Sequence, residues 1–553
     1  MKKFVYILFA LFVLSACSED TSEYKQQRDA LEQNNQALQT QIAKEQEELK
    51  KRKAEQERLK QRLEELERVK SGMVSDPVLL TMEFKRSDNT GLSKDVVCDV
   101  YSSTGIVNCW LPELDDSKTL IPRFTFDGTL VMIGSQEVTS GSTAVDFSQP
   151  IPLTVMTSKG TKEYTVYVYS YTGLPVMRID TETGNFINSK VTYVNAHMKL
   201  TEDVKTRGAG DVLEADLQIK GRGNSTWWRT DWPKKPYRLK FNEKVSLLGE
   251  HKDKSWVLLA NFADKSLLRN HIAFFMGTIS NIEYTSSSHF VELYLNGRYD
   301  GTYELCEKLK ISDHRVAVGD DGFLLEVDAR AIEEDDSRYF YIYSLDSPVN
   351  IKEPETQYND ANFNYIENYL AKVDNALYGF YFKESSKGWQ NYMDIDSFVD
   401  WYLINEIAHN TDAQMLSSCY MNLKRGEKLK MGPLWDFDLA FGNTDYWKRG
   451  PEGFWVKDAD WFSRLFEDPA FVERVKERFD YFYDRLPDIM REIDATGEYL
   501  KYSAAANENR WHTFYNYGVP NVEIWGKYQN EVQSVKEYIK TRMDWLKSQY
   551  DKM

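Results

Sequence analysis

The feature of this sequence that most constrains its fold is the stretch from Tyr24 to Val69, which contains neither glycine nor proline. Most of its residues are Gln, Glu, Lys, Arg, Leu and Ala, which favour helix. Leucines such as Leu31 and Leu38 recur at heptad spacing, so the pattern predicts a coiled coil over residues 18–72. Asn35 falls at an a position, where asparagine favours a parallel homodimer. A single charged helix is the alternative. Neither structure builds a globular core, so the rest of the chain must fold separately.

A short targeting segment is predicted to precede the helix. Lys2 and Lys3 are followed by an apolar run from Phe4 to Leu14, which is too short to cross a bilayer comfortably and has the size of a signal-peptide core. The run ends in Leu-Ser-Ala-Cys, which resembles a bacterial lipobox with Cys17 as the lipidated residue. We therefore expect residues 1–17 to be a lipoprotein signal peptide. The protein is expected to be exported and held in a membrane by a lipid on Cys17, at the cell surface, on the outer membrane or in the periplasm. A plain signal peptide is the alternative.

Composition excludes several classes of function. The chain has 553 residues, and its 69 Lys and Arg against 86 Asp and Glu give a formal net charge of −17. A net-acidic chain is a poor match for nucleic acid, so we expect no nucleic-acid partner. Five cysteines do not make a disulfide scaffold, and the sequence has neither a CxxC pair nor an HExxH motif. Zinc chemistry is therefore not expected.

A β domain is predicted over residues 76–172. Short alternating segments such as Val78–Phe84 and Glu163–Tyr169 are separated by turn residues at the spacing typical of a sandwich. The pattern resembles the Ig-like modules of secreted bacterial proteins, and we expect a spacer or adhesion module. Cys98 and Cys109 either form a disulfide across a hairpin or remain two buried thiols.

Two places in the remaining sequence have the residue types that phosphate chemistry needs. The first is a glycine loop, Lys220 to Thr226, between strand-like segments 215–219 and 236–241. Such a loop can bring backbone N–H groups to a phosphate, although a simple hairpin also needs glycine. Lys240 lies on the polar side of the second strand, where it could meet a nucleotide's phosphates.

The second place is a pair of acidic segments. Residues 394–409 read as an amphipathic helix capped by Asp396 or Ser397, and Asp412 follows it. A predicted hairpin then leads to Asp436 and Asp438 in a Trp-Asp-Phe-Asp sequence. A hairpin of this length could return the second segment beside Asp412. One carboxylate would then accept a hydroxyl proton while another holds a metal ion on a phosphate.

The segment from Gly173 to Met553 resembles the CotH family, the spore-coat-protein-H-like atypical kinases. The resemblance lies in ordered motifs: GRGNSTWW and KKPYRLKF within 221–241, WVLLANFADKSLLRN at 256–270, VELYLNGRYDGTYELCE at 291–307, NEIAHNTD at 405–412 and GPLWDFDLAFGN at 432–443. It implies an α+β, divergent protein-kinase-like domain over 173–553. It also implies that the domain binds ATP with Mg²⁺ or Mn²⁺ and phosphorylates hydroxyl side chains of a protein substrate whose identity the sequence does not reveal.

Carried over by motif, the resemblance makes Asp412 the catalytic base and Asp436 a metal ligand, with Asp438 as a second candidate. Residues of the phosphate loop would be Gly221, Arg222, Gly223 and Asn224. Lys235 or Lys240 would contact the nucleotide, with Glu307 as a candidate partner of that lysine. The role of Arg269 and Asn270 is open, and a pair between Arg269 and Asp264 that braces a loop is the structural alternative.

One departure from the kinase pattern weakens the case for catalysis. Kinase-like sites usually have an asparagine metal ligand a few residues after the catalytic aspartate. Here Gln414 or Ser417 would have to serve. Three functions therefore follow: a surface-tethered kinase, a catalytically inactive scaffold or adhesin with the same fold, and a carbohydrate-handling accessory lipoprotein.

Overall fold

The computed structural model describes residues 76–92, 95–111, 118–170, 172–201, 212–333, 338–444, 450–515 and 524–553, with short helical runs and single helical positions between residues 30 and 63. The predicted signal peptide 1–17 and most of the predicted coiled coil 18–72 lie outside these residues. Residues 49–53 are helical, and Leu49, Leu59 and Leu63 are exposed in the single chain. The coiled coil therefore stays a prediction.

The chain divides into two compact units. One comprises Met1–Thr81, Phe124–Ser140 and Leu153–Glu163, and the other comprises Met82–Arg123, Gly141–Pro152 and Tyr164–Met553. In the first unit, Leu153–Met156 pairs antiparallel with Leu130–Ile133. All the candidate site residues that the structure describes belong to the second unit.

Short strands fill residues 78–170, as the sequence pattern predicts. They are β1 Val78–Phe84, β2 Val96–Val97, β3 Asp99–Tyr101, β4 Ile106–Leu111, β5 Thr119–Leu120, β6 Pro122–Asp127, β7 Leu130–Ile133, β8 Gln136–Glu137, β9 Val145–Asp146, β10 Ile151–Thr157 and β11 Gly160–Ser170. The pairing of β4 with the Thr165–Ser170 part of β11 is parallel, and the pairing of β4 with β3 is antiparallel. Cys98 and Cys109 form a disulfide. The Ig-like assignment of this region remains a prediction.

A closed barrel of seven strands follows, which the sequence analysis did not predict. Its order is β12-β13-β14-β15-β16-β18-β17. The strands are β12 Val176–Thr181, β13 Val194–Thr201, β14 Val212–Gly221, β15 Tyr237–Val245, β16 Asp253–Leu259, β17 Ser288–Leu295 and β18 Arg298–Glu307. In β15, Tyr237, Leu239 and Phe241 are buried in the barrel core while Lys240 is exposed. This is the period-two alternation of a strand with one buried face.

A second, five-stranded sheet lies C-terminal to the barrel in sequence, in the order β20-β21-β19-β22-β23. Its strands are β19 Phe323–Val327, β20 Tyr339–Phe340, β21 Val349–Glu353, β22 Cys419–Leu423 and β23 Lys430–Met431. The helices are α1 Ser225–Trp228, α2 Arg269–Thr278, α3 Ala361–Tyr378, α4 Ile395–Ala408, α5 Asp460–Leu465, α6 Pro469–Asp484, α7 Leu486–Trp511 and α8 Tyr528–Tyr550. Short 3₁₀ turns cover Ala329–Glu333, Trp389–Asn391, Thr411–Ala413, Val456–Asp458 and Thr513–Tyr515. The described domain is therefore mixed α+β.

The helix α4 differs from its prediction in two ways. Its cap is Asp394, whose side chain accepts from the Ser397 backbone N–H, so the prediction of Asp396 or Ser397 as the cap was wrong. It is also buried on nearly all sides rather than amphipathic. Its two buried carboxylates have partners from the C-terminal helices, because Arg478 forms a two-bond pair with Asp400 and Arg542 pairs with Glu406. Burial of a charge is tolerated when it is paired in this way.

The aromatic C-terminal segment contributes to the core of the second unit. Phe471, Val475, Phe479 and Phe482 of α6 are fully buried in the large core that α4 also joins. Their spacing places all four on one face of the helix. Among the described residues, no helix combines the length and the apolar character that crossing a bilayer requires.

Candidate active site

The catalytic-base candidate, Asp412, lies in the 3₁₀ turn directly after α4. His409 ends that helix in the left-handed conformation, with a φ of 49°. The chain turns there, and Asp412 becomes half-buried. Burial, reinforced by the nearby charge of Asp436, raises the pKa of Asp412 from 3.8 to about 6, although Arg330 opposes the rise. A carboxylate with a pKa near the working pH can accept a proton in a reaction and release it afterwards.

The metal-ligand candidates lie in the acidic loop, which we define as Trp435–Asp438. Asp436 is exposed and has a φ of 67°, a left-handed conformation that a non-glycine residue adopts rarely. The Ser418 hydroxyl donates to its Oδ2 at 3.3 Å. Asp438 is half-buried, and burial followed by the charge of Asp436 raises its pKa well above 3.8. The structure therefore brings Asp412, Asp436 and Asp438, which we call the acidic group, close enough to repel one another.

Two residues from the start of α2 hold the acidic loop and the residues directly after it. The Asn270 side chain accepts from the Phe437 backbone N–H at 2.7 Å and donates to Asn261 at 3.1 Å. The Arg269 guanidinium donates to the Ala440 carbonyl at 3.0 Å and pairs with Asp264. Asp264 also accepts from the Arg269 backbone N–H at 2.8 Å. The sequence prediction of an Arg269–Asp264 brace is confirmed.

The sequence analysis missed Asp328 and Arg330, which follow β19. The Ser417 hydroxyl donates to Asp328 Oδ1 at 3.0 Å, and Arg330 donates to both Ser417 and Asp328. Burial opposes the charge on Arg330, but the fields of Asp328, Asp412 and Asp436 outweigh it and hold its pKa above the ordinary value. Arg330 is therefore a cation beside the acidic group. A sequence signal existed, because an apolar strand ends there in Asp-Ala-Arg.

The glycine loop is built around aromatic packing. A side chain at Gly221 would collide with the Trp227 ring, and Gly223 has a φ of +81°. Asn224 accepts from Lys190 at 3.0 Å and precedes the single turn of α1. These contacts explain why the loop needs both glycines.

Arg222 links the glycine loop to the acidic loop. Its guanidinium carbon lies 5.5 Å from the centre of the Trp435 ring. Its charge also acts on Asp438, whose pKa it partly lowers. The structure thus brings Arg222 together with the acidic residues.

The lysine candidates have different surroundings. Lys235 donates to the carbonyls of Trp227 at 2.9 Å, Arg229 at 2.8 Å and Thr226 at 3.3 Å, so its three N–H bonds already hold the segment after the glycine loop. Burial lowers the pKa of Lys235. Lys240 is exposed on the barrel wall, 5.9 Å from the centre of the Tyr193 ring.

Glu307 does not pair with Lys235 or with Lys240. Arg315 Nε donates to its Oε1 at 3.1 Å, and the Tyr284 hydroxyl donates to its Oε2 at 3.0 Å. The expected ion pair between Glu307 and the nucleotide lysine is therefore absent in the described part of the chain, because a buried arginine already neutralises this carboxylate. Arg315 approaches from a loop eight residues further along, which the strand pattern of the sequence could not reveal.

The two substitutes for the missing asparagine also have partners. The Gln414 amide donates to the Trp455 carbonyl at 3.0 Å. Ser417 is engaged with Asp328 and Arg330. Both side chains therefore already have protein partners in the described part of the chain.

The acidic group fits a hard divalent cation by its chemistry. Carboxylate oxygens are the ligands that Mg²⁺ and Mn²⁺ prefer. A cation would relieve the repulsion that, after burial, raises the pKa values of Asp412 and Asp438. Within the described ranges, however, no three His, Cys, Asp or Glu side chains already converge as a closed ligand set. A metal held here would need ligands from outside these carboxylates as well, which is usual for Mg²⁺ on a phosphate.

The comparisons with known proteins agree with the order of the motifs. The sequence profile of the family described as CotH kinase protein matches residues 219–546, more than half of the chain. The barrel, the second sheet and the acidic group all lie within or overlap this range. The protein belongs to the CotH family.

Other comparisons add little. No match was found among curated proteins. One similar solved structure is a candidate glycoside hydrolase from Bacteroides thetaiotaomicron, with 13% identity and a TM-score of 0.16 over 51% of this chain and 84% of that chain.

Proposed function

We propose that the protein is a kinase that transfers the γ-phosphate of ATP to hydroxyl side chains of a protein substrate. The observation that carries this proposal is that Asp412, Asp436 and Asp438 lie near enough for their charges to act on one another, with Arg222 of the glycine loop also acting on Asp438. A glycine loop, a base after a helix and an acidic loop after a hairpin occur in the order of a protein kinase. The finer fold proposed for residues 173–553 is therefore a divergent kinase-like domain.

In the proposed reaction Asp412 acts on the substrate hydroxyl. The hydroxyl oxygen forms a bond to the γ-phosphorus, the bond from that phosphorus to the ADP oxygen breaks, and the hydroxyl proton passes to Asp412. With a pKa of about 6, Asp412 is mostly ionised at neutral pH and can take this proton. Arg222 and Arg330 supply positive charge beside the acidic group, and Asn270 keeps the acidic loop in place.

Asp436 and Asp438 are the residues that would hold Mg²⁺ or Mn²⁺. When bound, such an ion supplies positive charge that neutralises phosphate oxygens. The exposed position of Asp436 leaves it accessible to a nucleotide-bound ion, whereas Asp438 is less accessible. Lys240, exposed on the barrel wall, remains the better nucleotide candidate of the two lysines because Lys235 has three carbonyl partners.

The proposed setting of this activity is outside the cytoplasm. Residues 1–17 would direct export and leave a lipid on Cys17, and residues 18–72 would hold the folded domains away from the membrane as a parallel coiled coil. The disulfide between Cys98 and Cys109 supports this proposal, because such bonds persist mainly in oxidising compartments.

A catalytically inactive domain is the second candidate, favoured by specific contacts. Gln414 and Ser417 already have hydrogen-bond partners, and Glu307 pairs with Arg315 rather than with a lysine. Such a domain would serve as a scaffold or adhesin.

One experiment separates the two candidates. The full chain without its signal peptide is incubated with γ-labelled ATP and Mg²⁺ or Mn²⁺, and labelled hydroxyl residues are mapped by mass spectrometry. The kinase proposal expects cation-dependent labelling that Asp412→Asn and Asp436→Asn abolish and that Asp320→Asn, at an exposed site, leaves unchanged. Labelling that survives in both site variants contradicts the proposed roles. Nucleotide binding without any transfer supports the inactive scaffold.

A further inference from the structure

A continuous line of hydrogen bonds, which we call the relay, connects the acidic loop to α7. Its members, in order, are the Phe437 backbone N–H, Asn270, Asn261, Glu304, Ser288, His271 and Glu492. The two asparagines and Glu304 are buried, whereas His271 and Glu492 are half-buried. The acidic loop is therefore linked to a titratable side chain that the proposed phosphate chemistry does not use.

The Phe437 N–H fixes the direction of each hydrogen bond in the inner half of the relay. A backbone N–H can only donate, so the Asn270 atom 2.7 Å away is Oδ1. The Asn270 Nδ2 then donates to Asn261 Oδ1 at 3.1 Å, and the Asn261 Nδ2 donates to Glu304 Oε2 at 2.7 Å. A flipped Asn270 would set its own donor against the Phe437 N–H. This orientation of both amides therefore depends on Glu304 as an acceptor.

The outer half of the relay fixes the number of protons it holds. The Ser288 hydroxyl donates its one proton to Glu304 Oε1 at 2.6 Å, so it has to accept from His271 Nδ1 at 2.9 Å. The Nε2 of the same ring lies 2.8 Å from Glu492 Oε1, and an ionised carboxylate can only accept. The hydrogen bond from His271 is the main cause that lowers the pKa of Glu492, which favours its ionised form. All these contacts are satisfied together when both ring nitrogens carry a proton.

The charged groups that face His271 are carboxylates from two different elements. Glu492 of α7 binds its Nε2, and Glu304 of β18 is close enough for the charge of a protonated ring to act on it. Burial raises the pKa of Glu304, while its hydrogen bonds and the charge of His271 lower it. Phe290 and Thr496, both uncharged, also contact the ring. A buried carboxylate is tolerated when it is paired, so a cation at His271 stabilises the ionised form of Glu304.

We propose that His271 carries a proton on both ring nitrogens and is a positioning residue for the acidic loop, acting through Glu304 and the two asparagines. Loss of the Nδ1 proton turns that nitrogen into an acceptor, which competes with Glu304 for the single proton of Ser288. One hydrogen bond is then lost beside a buried carboxylate, and the support of the Phe437 N–H weakens. The inference rests on the proposed function only for the role of the acidic loop.

The proton count is tested by nuclear magnetic resonance of a chain that begins at residue 18 and carries ¹⁵N-labelled histidine. The signals of His271 are those that His271→Leu lacks. We expect both of its ring nitrogens to be protonated at pH 7. A ring with one unprotonated nitrogen at this pH overturns the proposal, because the additional proton would then lie on Glu304 or Glu492.

The coupling to the acidic loop is tested by hydrogen exchange at the Phe437 amide of the same chain, resolved by mass spectrometry of fragmented peptides. We expect His271→Leu to speed this exchange at least about tenfold at pH 7, because local opening becomes more frequent. Protection of the amide, relative to its intrinsic exchange rate, should fall in wild type from pH 6 to pH 9 and stay constant in His271→Leu. Glu492→Gln, at a half-buried position, should move the wild-type fall to lower pH because it stabilises the protonated ring less.

His289→Leu is the matched control. His289 is the next residue to Ser288 on β17, where neighbouring side chains point to opposite faces, and its Nε2 pairs with Glu250 at 2.7 Å. Protection of the Phe437 amide in this variant should equal that of wild type. Wild-type protection in His271→Leu, an equal loss in both histidine variants, a pH dependence that persists in His271→Leu, or no shift in Glu492→Gln overturns the proposal. None of these measurements uses a nucleotide, so a failed phosphate-transfer assay is a separate result.

Discussion

Asp412→Asn should stabilise the folded protein at neutral pH, at the expense of the proposed chemistry. In the folded chain the pKa of Asp412 is raised from 3.8 to about 6, chiefly by burial and then by Asp436. The charged form is therefore disfavoured by folding, and each pKa unit corresponds to about 1.4 kcal/mol. The full shift of about two units means that ionised Asp412 costs the folded state about 3 kcal/mol.

The pH dependence follows from the direction of this shift. The folded state holds the proton more tightly than the unfolded state between pH 3.8 and about 6, so stability falls as pH rises through this window. At pH 7.5 the whole cost of about 3 kcal/mol is present, and at pH 4 only about 0.5 kcal/mol remains. Asparagine has no charge to bury, so the advantage of Asp412→Asn over wild type should grow by about 2–3 kcal/mol between these two pH values.

The assay is urea unfolding followed by tryptophan fluorescence, for wild type and Asp412→Asn at pH 4 and pH 7.5 without divalent cations. Asp320→Asn, at an exposed position, is the control and should show no such pH-dependent gain. A destabilising effect of Asp412→Asn at pH 7.5, or a gain that does not change with pH, would refute the account of a strained acidic group. The double variant with Asp436→Asn should gain less than the sum of the two single gains, because each removes the same repulsion.

Three further variants test the supports of the site and the fold. Asn270→Ala leaves a backbone N–H of the acidic loop without its acceptor and should lower the free energy of unfolding by about 1–3 kcal/mol in urea titrations; an unchanged midpoint would contradict that support. Arg542→Met leaves the buried Glu406 carboxylate without its cation and should lower the free energy of unfolding by about 3–5 kcal/mol in the same titrations. A smaller loss would contradict a stabilising Arg542–Glu406 pair. Cys98→Ser removes the disulfide and should lower stability by about 2–3 kcal/mol only under oxidising conditions, whereas an equal loss in reducing buffer would point to packing instead.

The sequence predicted the local elements well where one periodicity dominates. The alternation in β15 follows from the spacing of its apolar side chains. The helix at 395–408 was also predicted, but its burial on nearly all sides was not. The return of the acidic loop to Asp412 was also predictable, since a short hairpin separates them. The seven-strand barrel could not be predicted from the sequence, because its closure depends on the parallel pairing of β12 with β17. These two strands are far apart in sequence.

The partners of individual charged side chains were the least predictable part of the site. Lys235 and Lys240 look equivalent in sequence, yet three carbonyls surround one and solvent surrounds the other. Glu307 pairs instead with Arg315, which lies in a neighbouring loop. Asp328 joins the acidic group through the second sheet, which pairs β19 with β22 and so brings the ends of those strands together. Such pairings depend on sheet topology rather than on local pattern.

The central claim is that Asp412, Asp436 and Asp438 form a cation-dependent nucleotide site with Arg222. The most direct measurement is isothermal titration of ATP into a chain that begins at residue 18, with and without Mn²⁺. The account predicts saturable binding that requires the cation, is weakened at least about tenfold by Asp436→Asn and is unchanged in Asp320→Asn. Absence of binding in the presence of Mn²⁺, or binding equally tight in Asp436→Asn, would contradict it.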